Sequence, residues 1–422
     1  MSVEPEATMS KKRPCQPVNA VWLLDHYPFG GHAGQYRWIE SLWESAQRRG
    51  VSNRMLLPSG AGLPPAIHLV SSCVDSRALL KVGRDWAVAD PRIWLRRLSW
   101  HLYRTLPQRT EAWVANLRRR VRRARGFDHV MGSELKVRQR AWAVKRLKEL
   151  QPDVVIFGSE FMIVETPPRS TRMVLAHDVV SARCRAMGLA GYVARPKVSE
   201  AWERHRLSSI DAIVAIQWDD AATFRRLVPQ AEVLVAPPSF RRATRPEAVA
   251  PTRRCLLVGS GTLHNVDGAR WFLEEVWGAI RQAVADCRLD VVGSVGSQLT
   301  GGPAPGAHIA GEVADLRPSY EAAQIVVAPL RYGSGLNVKV AEALAHGRPV
   351  VTSPAGAQGL AGLAGCPIVV AATAEEFAGA VIRLLRDREA CDELARESWE
   401  FAAVFEAETA HAGFLARVLG AT

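Results

Sequence analysis

Gly333-Ser334-Gly335, followed by Lys339 and Glu342, is the grouping in this sequence whose residue types and spacing could do chemistry. Glycines let a backbone turn tightly and approach a ligand closely. Amides at the start of a helix, with the helix dipole behind them, favour an anion. Lys339 adds a cation in the first turn, and Glu342 could accept two hydrogen bonds from a ribose diol. Taken alone, Glu342 reads first as a surface carboxylate on a crossover helix, and it is the surrounding pattern that favours the ribose.

The elements needed to hold these groups are legible on either side. Ile325 to Ala328 is a continuous apolar run, as in a parallel strand buried on both faces. From Asn337 onward Val340, Ala341 and Leu344 recur at helical spacing, and Gly347 with Pro349 closes the helix before the next strand, which begins at Val350. The same rhythm runs through the chain. Val18 to Leu24 predicts a strand, then a loop with Gly30, Gly31 and His32, then a helix with Trp38, Leu42 and Ala46 on one face. Val154 to Phe157, Thr171 to Ala176 (ending in His177-Asp178), Ala212 to Ile216 and Ala231 to Ala236 continue it. A second series opens with Arg254 to Val258 and Gly259-Ser260-Gly261, followed by units at Leu289 to Val292 and His308 to Gly311. Two long helical patterns, about 374–386 and 388–419, finish the chain.

Alternating strands and helices predict an α/β protein of two doubly wound, Rossmann-like domains facing a cleft. The expected boundaries are a disordered tail at 1–16, an N-terminal domain at 17–238, a linker at 239–252, a C-terminal domain at 253–400, and a closing helix at 401–422 that could pack back on the N-terminal domain. At 422 residues and 48% apolar content, the chain has material for two ordinary cores. Seven dispersed cysteines without CxxC spacing suit a reducing cytoplasm and argue against a disulfide framework or a structural zinc site. No apolar run is long enough to cross a bilayer, and the polar start carries no secretion signal, so a cytoplasmic place is expected.

The net charge of +12 is concentrated. Residues 92–148 hold seventeen Lys/Arg against three acids, leaving the rest of the chain near neutral. Within Arg92 to Arg125, Trp94, Trp100, Tyr103 and Trp113 lie among the arginines. Basic amphipathic helices with interfacial aromatics are expected to lie on an anionic membrane surface. A solvated helical face is the plainer alternative. Nucleic acid would be drawn to such a patch, but no RNA- or DNA-reading signature accompanies it.

From Leu257 to Leu360 the sequence resembles the glycosyl transferases of group 1, also called family 4. The resemblance rests on Val258-Gly259-Ser260-Gly261 with Asn265 to Phe272, on Gly311 to Leu316, and on Gly333 to Gly335 running through Lys339 and Glu342 to Val351. It is looser in the N-terminal half, through Gly30-Gly31 and His177 to Arg183. It implies the GT-B fold and retaining transfer of a sugar from a nucleotide diphosphate sugar to an acceptor, with no cofactor and usually no metal. By position, Glu342 corresponds to a ribose-binding glutamate, and Gly333, Ser334, Gly335, Leu336 and Asn337 to the donor loop. Lys339 takes the diphosphate, Val313 the base through its backbone, Gly259 to Gly261 the donor side, and His177 the donor sugar. Gly30, Gly31 and His32 close the acceptor side. Together with the basic segment, this implies a membrane-proximal or lipid-linked glycan acceptor in surface polysaccharide or glycolipid assembly. A nucleotide-sugar 2-epimerase and a catalytically silent scaffold are the alternatives.

Three departures stand out. Ser334 replaces a glutamate of the family pattern. Asn337 stands where related loops carry arginine. Thr262, Leu263, His264 and Asp267 occupy the region that often supplies an arginine and a lysine for the diphosphate.

Overall fold

The computed structural model describes residues 17–25, 34–58, 74–76, 79–82, 85–88, 129–130, 132–299, 304–333 and 335–421. The expected tail, Gly30, Gly31, His32, Ser334 and the segment Arg92–Arg125 lie outside them.

The N-terminal domain is built on a parallel sheet. Its strands are β1 (Asn19–Leu23), β2 (Ser52–Leu57), β3 (Val74–Ser76), β7 (Val154–Phe157), β8 (Thr171–Ala176), β10 (Ala212–Ala215) and β11 (Glu232–Val235), in the order β11-β10-β8-β7-β1-β2-β3. Two small pairings accompany it: a hairpin of β4 (Leu79–Val82) with β5 (Asp85–Val88), and β6 (His129–Val130) beside β9 (Ala194–Arg195). The C-terminal sheet holds β12 (Arg254–Val258), β13 (Arg288–Val292), β14 (Ala307–Gly311), β15 (Ile325–Ala328), β16 (Val350–Thr352) and β17 (Ile368–Val370), in the order β14-β13-β12-β15-β16-β17. Every strand pair in these two sheets is parallel. The central strands β7, β10 and β15 are buried at every residue, which is why they read as unbroken apolar runs.

In each sheet the strand order reverses once, between β1 and β7 and between β12 and β15. Ligands of open α/β sheets bind beyond the carboxyl ends of strands at such switch points. Gly158, Gly259 and the 329–335 loop follow β7, β12 and β15 directly.

The two halves are tied together at the hinge. Residues 239–252 have no regular structure, yet they are docked. Phe240 N–H donates to Phe405 O at 2.8 Å, Ala243 N–H donates to Ala345 O at 2.9 Å, and the Arg242 guanidinium lies 4.0 Å from the Trp399 ring centre. The single helical pattern expected over 388–419 is broken. Helix Arg388–Phe401 gives way to a 3-10 turn at Ala402–Phe405 and short helices at Ala407–Ala410 and Ala412–Leu419. The break lets the chain leave the C-terminal domain and cross to the other. There buried His411 bonds Ser45 Oγ through Nδ1 at 2.8 Å and Pro237 O through Nε2 at 3.0 Å, and Arg417 pairs with Glu232 at 2.9 Å.

Candidate functional site

Helix Val338–Ala345 begins where the glycine loop ends. Asn337 is its N-cap, with a side chain that accepts from Lys339 N–H at 3.2 Å, so this residue holds the helix start in place. Leu336 is buried in the core, and Val313 packs against the same cluster. Gly335 has φ of +76°, and a Cβ there would stand 2.7 Å from the His177 carbonyl oxygen. Only glycine allows this turn and this approach between domains.

Glu342 lies in the interface at 5% exposure. Arg37 Nη1 donates to Oε1 at 2.6 Å, while the Tyr320 hydroxyl and Lys339 Nζ each donate to Oε2 at 3.2 Å. Burial, and next the Glu342 charge, push the Tyr320 hydroxyl well above its ordinary value, so it remains a donor. Tyr320 is itself stacked on the His346 ring at 4.7 Å. One carboxylate thus stands between two cations, one from each domain.

Arg37 and Trp38 are neighbours on helix Gly34–Arg48 and reach the two key groups together. Arg37 meets Glu342, and Trp38 sits edge-on to His177 at 4.9 Å. Trp38 is fixed by donating its indole N–H to Ala236 O at 2.6 Å. His177 Nε2 lies 3.0 Å from Gly158 O, and because a carbonyl only accepts, that nitrogen carries the proton. Nδ1 is therefore a bare acceptor, buried and without a partner among the described residues. Burial holds the imidazole below its ordinary value, so it stays neutral. With its one N–H used on Gly158, His177 offers an acceptor on its remaining ring nitrogen.

Behind His177, Asp178 pairs with Arg183 at 3.0 Å, and Glu203 accepts from the Val180 and Ser181 amides at 2.8 and 3.2 Å, capping the helix Val180–Leu189. Burial raises Glu160 to about 8, so this carboxyl carries a proton at neutral pH.

The loop after β12 is held by hydrogen bonds within its own domain. Gly259 N–H donates to Val292 O at 3.0 Å and Gly261 N–H to Ser294 Oγ at 3.1 Å, while Asn265 Nδ2 holds Ser260 O and Oγ. The amides at 259 and 261 are occupied inside the domain. Gly259, Asn265, Asn337 and Lys339 do line one small cavity of about 20 Å³, so the two loops meet. Asp267, in the region where cations are missing, accepts from the Tyr192 hydroxyl at 3.2 Å and lies 3.8 Å from Arg331. Tyr192 in turn packs on Tyr332 with ring centres 5.2 Å apart. Across the interface, Gly359 N–H donates to Asp219 at 2.9 Å.

Arg37, Tyr192, Asp219 and Gly359 are among the interface residues that local spacing did not single out. Arg37 had only a faint signal, a cation just ahead of Trp38 at a helix start behind a Gly-Gly loop.

Residues 252–387 match the family model of the glycosyl transferases group 1. No curated protein sequence matches the chain. Among solved structures, sucrose-phosphate synthase from Thermosynechococcus elongatus superposes with a TM-score of 0.62 at 16% identity, covering 96% of this chain and 99% of that one. HepE of Anabaena, in complex with UDP and glucose, gives 0.60 at 12% identity over 95% and 99%. WaaG, a glycosyltransferase involved in lipopolysaccharide biosynthesis, gives 0.57 at 17% identity over 96% and 100%. The match to TarM covers 66% of this chain and 58% of that one. Residues 252–387 thus resemble the group 1 glycosyl transferases, and the chain as a whole has the two-domain GT-B fold.

Proposed function

We propose that the protein transfers a sugar, with retention at the anomeric carbon, from a nucleoside diphosphate sugar to a glycan or lipid-linked acceptor in surface glycan assembly. The observation that carries this reading is the placement of Glu342: almost buried, between the two domains against Arg37, and one helical turn past Lys339. In this reading the carboxylate holds the ribose, and Lys339 with the helix N-terminus faces the diphosphate. Charge grows on that leaving group, so fixed cations and amides act where they lower the barrier. The bare Nδ1 of His177 accepts from a donor-sugar hydroxyl. The HepE complex with UDP and glucose and the role of WaaG in lipopolysaccharide synthesis support a nucleotide sugar and a glycan acceptor.

A thermal-shift panel of UDP-, GDP-, ADP- and dTDP-sugars tests the donor class. A true donor at a hundred times its Kd should add about 2.7 kcal/mol of stability. If none shifts the melting temperature and none is consumed with a glycan acceptor present, the reading fails. NMR of the product then reads the anomeric outcome, and an inverted product removes the retaining assignment.

The acceptor side includes a membrane-facing role for the Trp-bearing basic segment Arg92–Arg125, on the inner face of the cell membrane. No helix among the described residues is long and apolar enough to cross a membrane. Purified protein should bind anionic vesicles, and charge reversal at Arg118, Arg119, Arg120, Arg122 and Arg123 should abolish this. Equal binding to neutral vesicles would rule the role out.

A further inference from the structure

The C-terminal domain offers few cations for a diphosphate. Of the residues around its two glycine loops, Arg331 is set against Asp267, which also accepts from Tyr192, and Asn337 caps a helix, so Lys339 is the basic side chain held at the carboxylate. The second cation at the carboxylate comes from the other domain. Arg37 Nη1 is 2.6 Å from Glu342 Oε1, and Lys339 Nζ is 3.2 Å from Oε2, so the guanidinium and the ammonium flank a single carboxylate.

Resting on the functional reading above, we propose that Arg37 is a diphosphate-binding residue supplied by the N-terminal domain, which exchanges Glu342 for the donor's diphosphate. A ribose diol bound to Glu342 needs both carboxylate oxygens, and Oε1 is the one Arg37 holds. When a ribose hydroxyl takes Oε1, the guanidinium is released beside Lys339, where the diphosphate of the same ligand arrives. Arginine is suited to this exchange because its planar fork pairs with carboxylate and phosphate oxygens alike. The Arg37 side chain is about one-third exposed, so it has room to swing without unpacking a core. Trp38, fixed to Ala236 and against His177, keeps the helix start in register while its neighbour moves. Nucleotide binding thereby couples to the meeting of the two domains, since the residue that closes on the diphosphate comes from the side opposite the donor loop.

Binding of UDP, GDP, ADP and dTDP, and of the four matching nucleosides, to wild type, Arg37→Ala and Arg37→Lys tests this by calorimetry. The expected result separates diphosphate from nucleoside. Arg37→Ala should weaken the preferred diphosphate about 10- to 100-fold, the worth of one charged hydrogen-bonded contact. It should leave the nucleoside unweakened or tighter, because ribose no longer competes with a guanidinium for Glu342. Arg37→Lys should restore part of the diphosphate affinity.

Equal weakening of nucleoside and diphosphate would make Arg37 merely structural and overturn the proposal. Equal tightening of both would make it a plug and overturn it too, as would no change in either. A wild-type protein that binds none of the eight ligands sinks the functional reading and the Arg37 assignment together. A wild type that binds beside an unaffected Arg37→Ala sinks only the latter.

Discussion

Replacing Glu342 with alanine is expected to remove donor binding, weakening it at least about 100-fold, because two hydrogen bonds to a charged acceptor are lost, each contributing about 1.5–3 kcal/mol. Glu342→Gln should fall between, keeping the shape and one acceptor while giving up the charge. A smaller cost in stability accompanies it. Tyr320 is fully buried and bonds Glu342 with its hydroxyl, and an orphaned buried donor costs about 1–3 kcal/mol. Arg37 and Lys339 also lose their shared partner, but both side chains are partly solvated and need less compensation. The measurement pairs a melting temperature with a donor titration. A Glu342→Ala protein that melts lower yet binds donor as wild type does would make the residue a packing element and remove it from the site.

Gly335→Val is expected to reduce transfer at least as severely, by a different route. The glycine has φ of +76°, where an L side chain costs about 1–2 kcal/mol. Its added Cβ would also stand 2.7 Å from His177 O and 3.4 Å from Asp178 Cβ, both on the opposite domain. Backbone cannot give way as a flexible side chain does. Either the donor loop shifts or the domains stand farther apart, and in both cases the acceptor nitrogen of His177 is displaced from the donor site. The effect should fall on kcat more than on melting temperature, because each domain keeps its own core. Gly278→Ala is the control. It lies in the helix Trp277–Ala283 with open space around it, so it should leave transfer alone and stabilise by up to about 1 kcal/mol. Full activity in Gly335→Val would show that the close approach to His177 is not needed for turnover.

Much of this architecture was readable residue by residue. The strands β7, β10 and β15 announced themselves as apolar runs, and the unit from β15 through Gly335 to Glu342 was legible because glycine turns and helical periodicity are local properties. One local reading failed for a physical reason. Alanine-rich sequence from 388 to 419 carries helical propensity throughout, yet the helix breaks at Ala402 because the chain must turn to cross the hinge, and packing overrides propensity. The partners of the 259 and 261 amides, Val292 O at the end of β13 and Ser294 Oγ just beyond it, are set by tertiary pairing that local spacing does not report.

By itself, then, the sequence determined the two α/β domains, the glycine turn and the helix that carries Lys339 and Glu342, since each follows from side-chain spacing within a few residues. The tertiary structure alone decided which groups meet: Arg37 with Glu342 across 305 positions, Gly335 with the His177 carbonyl, and Asp267 with Tyr192. Periodicity reports which face of an element is buried, not what lies opposite it. The partner of a charged side chain in a cleft is set by how two separately folded domains are held against each other, and that depends on the docked linker and the returning C-terminal helix.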